Sequence, residues 1–138
     1  MLRLILGIVV GFVAWSIIWV GSEEVLMAVS PDWYGAHHNG FERALVNGEA
    51  FEANSTIMIM SLARSIITSI MAGFLAAVVA NESKRSTLIL GVILLLVGVM
   101  VEISAWRLLP IWYHFIFLFL LIPMTMLGGK LKTSKAEN

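Results

Sequence analysis

The sequence predicts an all-α membrane protein: a four-transmembrane-helix bundle with both termini cytoplasmic and one long outer loop between helices 1 and 2. Three observations carry that prediction. The 138 residues are 59% hydrophobic and only 13% charged, where a soluble domain carries about 25% charge. Four stretches are long and apolar enough to cross a hydrocarbon core of about 30 Å, which takes about 20 residues at about 1.5 Å each. The basic residues are also divided unevenly between alternate connections, which orients the chain. A chain of this length is expected to form a single domain, 1–138.

The first span is expected at 4–29. Pro31 stops it, because proline cannot donate to the helical ladder and restricts the residue before it. This stretch is too long for the apolar core of a secretory signal and lacks a small-residue cleavage site, so it reads as an uncleaved anchor. The second span is expected at 56–80 and the third at 87–105. The fourth is expected at 110–127, where Pro110 suits a first helical turn. Pro123 should kink that helix or end its regular part, and Gly128-Gly129 should close it, leaving a cytoplasmic tail at 128–138. The outer loop, 30–55, is rich in turn-formers, and Phe41–Phe51 within it has the pattern of a short interfacial helix.

Arg3, Lys84, Arg85, Lys130, Lys132 and Lys135 fall on one side of this arrangement, while Arg43 and Arg107 fall on the other. The excess of positive charge marks the cytoplasmic side. Trp106 and Trp112 flank the outer turn, at the depth of an aromatic belt.

Small residues mark the faces on which membrane helices touch. Gly7 and Gly11 are one turn apart, and the same line continues through Trp15, Trp19 and Glu23. The second span carries Ser61, Ser65, Ser69, Gly73 and Ala77 at the same spacing, and the third carries Gly91 and Gly98 on one face. These rows suit packing within the bundle, with a self-association seam as the alternative.

Ionisable residues inside the membrane are the chemistry on offer, each costing roughly 2.5–3.5 kcal/mol to insert. Glu23, Arg64, Glu102 and His114 all fall in the outer half, with Arg64 roughly 12 Å below the outer end of its helix. One cluster explains their common depth. It reads as a register-fixing ion-pair network, as a polar pocket that binds an anion at Arg64 or relays protons, or as a metal site drawing on His37-His38.

The formal net charge of zero gives no case for nucleic acid, and the absence of cysteine excludes disulfides, thiolate metal sites and cysteine nucleophiles. No nucleophile elbow, phosphate loop or metal-binding helix motif is present, and no cofactor is expected. A non-enzymatic accessory or assembly component of the membrane therefore leads. Its expected partners are the lipid bilayer, a second copy of the chain or another membrane protein. A small transporter or channel is the alternative, followed by a membrane enzyme on lipid or quinone with His114 as base.

The pattern of small multidrug resistance transporters, with a glutamate in the middle of the first helix, is missing, as are the asparagine and phenylalanine motifs of fluoride channels. The glycine-spaced first helix ends in an acidic residue and Pro31. The last segment reads Pro110-Ile111-Trp112-Tyr113-His114, then Pro123, then Gly128-Gly129-Lys130. In these features the chain resembles small four-helix bacterial inner-membrane proteins that have no assigned activity. The resemblance implies the topology and a bacterial inner membrane.

Overall fold

A computed structural model describes residues 1–137, with side chains to Lys132. Its helices are α1 (Leu2–Val29), α2 (Ala36–Asn47), α3 (Ser55–Ala80), α4 (Lys84–Ser104) and α5 (Ile111–Glu137), and no strand occurs among the described residues. Four of them, α1, α3, α4 and α5, are long and apolar enough to span a membrane. The bundle has two distinct ends. One carries Arg3, Lys84, Arg85 and Lys130 and is called here the basic end. The other is covered by α2.

The helix ends follow local chemistry. Asn54 caps α3 by accepting the Ile57 N–H on its side-chain oxygen, 3.1 Å. Asn81 closes the same helix in the left-handed region, φ 55°. Glu82 then turns its carboxylate onto the first N–H groups of α4, those of Lys84, Arg85 and Ser86. Burial pushes this carboxyl up, but the three N–H donors and the Arg85 charge outweigh it and hold Glu82 below its ordinary range.

Three expectations from the sequence need correction. The helix in the connecting segment is not Phe41–Phe51. Pro31–Gly35 first forms one wide π-type turn, closed by the Gly35 N–H on the Ser30 carbonyl, 2.9 Å, and α2 follows directly. It ends at Asn47 because Gly48 takes φ +70° as its left-handed cap. Pro123 does not end α5, which runs on through it. Gly128-Gly129 does not close α5 either, so 128–137 is helix rather than tail. Those two glycines serve packing: a Cβ on Gly128 would strike the Ile70 carbonyl, and one on Gly129 would strike Thr87.

Packing differs between the two halves. Toward the basic end the backbones nearly touch. A Cβ on Gly73 would collide with the Thr125 carbonyl, one on Gly7 with Ala76 and Ala80, and one on Gly11 with Leu90 and Ala76. Alanines 72, 76, 77 and 80 are buried there. Toward the α2 end the same faces carry rings. Trp15 and Trp19 stack at 5.3 Å, Trp19 meets Phe117 edge-on at 5.9 Å, and Tyr113 stacks on Phe117 at 5.9 Å. Only 11% of the α1 window is buried, so α1 lies at the margin of the bundle.

Candidate functional site

Arg64 is the centre of the polar region, and α1 supplies most of its partners. The residues Trp19, Ser22 and Glu23 lie on one face of α1, three and four positions apart. Nη1 of Arg64 donates to Glu23 Oε2 at 2.7 Å and to the Tyr34 hydroxyl at 2.9 Å. Nη2 donates to the Trp19 carbonyl at 2.7 Å and to Ser22 Oγ at 2.8 Å, and Nε donates to the same Oγ at 3.0 Å. All five guanidinium N–H donors are thus placed on protein acceptors. The guanidinium also lies 4.2 Å from the Trp19 ring centroid, in cation–π range.

Glu23 joins three elements. Besides Arg64 it accepts the Tyr34 hydroxyl at 2.8 Å and faces His38 Nδ1 at 2.8 Å. His38 in turn faces Glu42 through Nε2 at 3.1 Å. Burial, then the Glu23 contact and charge, push the Tyr34 hydroxyl well above its ordinary range, so it stays protonated and donates. His37 holds the other side of α2: its Nε2 accepts the Asn54 N–H at 3.1 Å, and its ring meets Phe51 at 4.9 Å. Burial drives the His37 ring below the usual histidine value despite the charge of Glu23, in keeping with a neutral ring that accepts.

The four residues expected to form one cluster fall into two pairs. Arg64 takes Glu23. Glu102, on α4, takes His114, on α5, through Nδ1. Glu102 has a nearer partner on the neighbouring helix, while Arg64 finds its acceptors on α1. His114 is fully buried, stacked on Trp106 at 4.5 Å, with Nε2 facing the Trp106 carbonyl at 3.2 Å. A carbonyl only accepts, so Nε2 carries hydrogen. The ring's Nδ1 faces the Glu102 carboxyl, so both ring nitrogens are engaged. Among the described residues, no group of three or more histidine and acidic side chains is placed to hold a metal ion.

Glu23 and Glu102, the acidic member of each pair, line one chamber of about 510 Å³, roofed by α2 and walled by α1, α3, α4 and α5. Phe12, Trp15, Trp19, Tyr113 and Phe117 give it aromatic walls, with Met58, Leu94 and Leu121 between them. Glu23, Tyr34, His37, His38 and Glu42 form its polar end. Val20 of α1 and Val97 and Val101 of α4 also line it, and all three are exposed.

Of the other residues singled out from the sequence, Ser61 and Gly98 line the chamber. Ser69 Oγ accepts the Trp15 indole N–H at 3.1 Å, and Gly91 lies against Ile122. Ser65 is buried, and among the described residues its Oγ alone is a buried side-chain polar atom without a hydrogen-bond partner. Sequence reasoning missed Ser22 and Tyr34 as parts of the site, and brought in His38 only as a metal ligand beside His37. No known protein family, characterised protein or solved structure matches this chain.

Proposed function

We propose that the protein is a non-enzymatic, multi-pass inner-membrane component that receives an amphipathic molecule from the outer leaflet in its lateral chamber. In this reading the basic end faces the cytoplasm, following the distribution of Lys and Arg, and α2 lies at the outer surface. The observation that carries it is the chamber itself, apolar and aromatic over most of its wall and polar at one end; in this reading it opens toward lipid between α1 and α4, where Val20, Val97 and Val101 are exposed. Its volume of about 510 Å³ suits one small-molecule-sized guest.

The Arg64 network supports this as scaffold. It holds α1, the Pro31–Gly35 turn and α3 in register beside the chamber, and its donors are already used. The close backbone packing at the basic end favours a blind chamber over a conducting path. His114, buried with both ring nitrogens engaged, is poorly placed to serve as a base for an enzyme.

The test is photolabelling in vesicles with a phospholipid that carries a diazirine near its chain end. Labels are expected on peptides that contain Trp15, Trp19, Val97 and Phe117, and to fall several-fold in Val97→Trp, which plugs the opening. Val9→Trp, on the lipid-exposed surface of α1, should leave the pattern unchanged. Even labelling over all lipid-facing residues in every variant would refute the proposal.

A further inference from the structure

We infer that the guest of the chamber is a lipophilic cation, a molecule with an aromatic or aliphatic body and a permanent positive charge. This deepens the proposed function and rests on it. Among the described residues, the side chains lining the chamber include the acidic Glu23, Glu24, Glu42 and Glu102, the last of them taken by His114, and no lysine or arginine. The nearest guanidinium, Arg64, has all five donors placed on Ser22, Glu23, Tyr34 and the Trp19 carbonyl. The ring nitrogens of His38 face Glu23 and Glu42, and His37 Nε2 accepts rather than donates. An anionic head entering the polar end finds carboxylates and no unpaired cation.

A cation finds the opposite. Glu42 faces His38 through one oxygen and is otherwise open to solvent at the rim, and Glu24 stands beside Glu23 at the same level. Deeper in, the wall includes the rings of Trp15, Trp19, Tyr113 and Phe117, a side-chain class that attracts cations. One of them, Trp19, already takes the Arg64 guanidinium at 4.2 Å. A neutral amphiphile gains the apolar wall alone. A lipophilic cation gains the wall, the ring faces and the carboxylates, and it reaches the chamber through the membrane by the same sideways opening.

The test compares two ions of matched shape and opposite charge, tetraphenylphosphonium and tetraphenylborate, by equilibrium binding to the purified full chain in nanodiscs. Saturable binding of about one phosphonium per chain is expected, with none for the borate. Glu24→Gln with Glu42→Gln should weaken phosphonium binding about tenfold, the order set by two carboxylates a few Å from a cation in a partly wet rim. Val97→Trp should weaken it at least as much. Thermal melts in the same nanodiscs verify that each variant is folded.

Equal saturable binding of the borate, or phosphonium binding unchanged by removing both carboxylates, would overturn the inference. If neither ion binds saturably while the photolipid still labels the chamber, the cation inference falls and the lipid-facing chamber stands. If Val97→Trp alters neither phosphonium binding nor photolabelling, both fall.

Discussion

Replacing Arg64 by methionine removes the charge and keeps much of the stem. The side chains of Arg64 and Glu23 are only 12% and 21% exposed, so the ion pair is largely withdrawn from water. Removing one partner of a buried pair costs about 3–5 kcal/mol, since the other charge is left uncompensated. Here the loss is smaller, because Glu23 keeps the Tyr34 hydroxyl and His38. Ser22 Oγ loses two N–H donors and the Trp19 carbonyl one, though Ser22 Oγ still donates to that carbonyl at 3.0 Å. These terms place Arg64→Met at about 3 kcal/mol. Glu23→Gln removes the charge but retains an acceptor, and should cost about 1–2 kcal/mol. The double variant should lose less than the sum, by about 1–2 kcal/mol, which is above the roughly 0.6 kcal/mol average for hydrogen bonds between membrane helices. Equilibrium unfolding in mixed micelles, followed by circular dichroism, measures all three. A loss below about 0.5 kcal/mol for Arg64→Met, or strict additivity in the double variant, would refute the scaffold role.

Gly73→Ala should cost more than about 2 kcal/mol or block folding, since its Cβ meets the Thr125 backbone carbonyl, whereas Gly21→Ala, with nothing within 4 Å, should be neutral or gain up to about 1 kcal/mol from helix propensity; the same unfolding assay separates them. Glu102→Gln should stay within about 1 kcal/mol of the parent, because an amide N–H can donate to His114 Nδ1 and keep that nitrogen partnered, whereas His114→Leu should cost at least about 2 kcal/mol through the stranded buried carboxyl. Acid should loosen the link between α2 and α3. Burial holds the His37 ring below the ordinary value near 6.5, so the unfolded chain binds the proton more readily and stability falls as pH drops below that value. The Asn54 amide, which loses its acceptor when His37 is protonated, should exchange hydrogen faster at pH 5 than at pH 7.5 after correction for intrinsic rate, and His37→Gln should abolish the difference.

The spanning helices were legible because length and apolar composition are set by the solvent, and each span reports on itself. The last helix shows the limit of that reading. Gly128 and Gly129 carry a strong local stop signal, yet α5 continues because those positions are pressed against Ile70 and Thr87 of other helices. Local rules do not contain that neighbour. The same holds for α2: Gly48 was the true stop signal, visible in the sequence, but Gly40 and the histidines made the preceding stretch read as turn. In the site, common depth brought Arg64 and Glu23 together correctly. It also suggested Glu102, which depth alone cannot separate from Glu23. The choice was made by azimuth: Glu102 meets His114 of α5, while Arg64 meets the face of α1 that Trp19, Ser22 and Glu23 share. That triplet, three and four apart, was the available clue. His38 reaches Glu23 only because the α2 segment folds back, and helical periodicity within the spans carries no trace of that.

One line of residues on α1 explains why a chamber exists at all. Gly7 and Gly11 bring α1 to within backbone contact of α3 and against Leu90 of α4. One and two turns further on, the same face carries Trp15 and Trp19, whose indoles cannot fit where a glycine hydrogen did. The helix is held close at the basic end, and the indoles stand beside the chamber at the other. Tyr113 and Phe117 prop the facing helix in the same half. A chamber of this kind would collapse or fill with lipid unless α1 were tied at its far end. Arg64 of α3 supplies that tie, by binding Glu23, Ser22 and the Trp19 carbonyl beside the chamber. The glycine row, the tryptophan pair and the single guanidinium are thus three parts of one wedge, and the small-to-large order of residues along α1 sets its position and its depth.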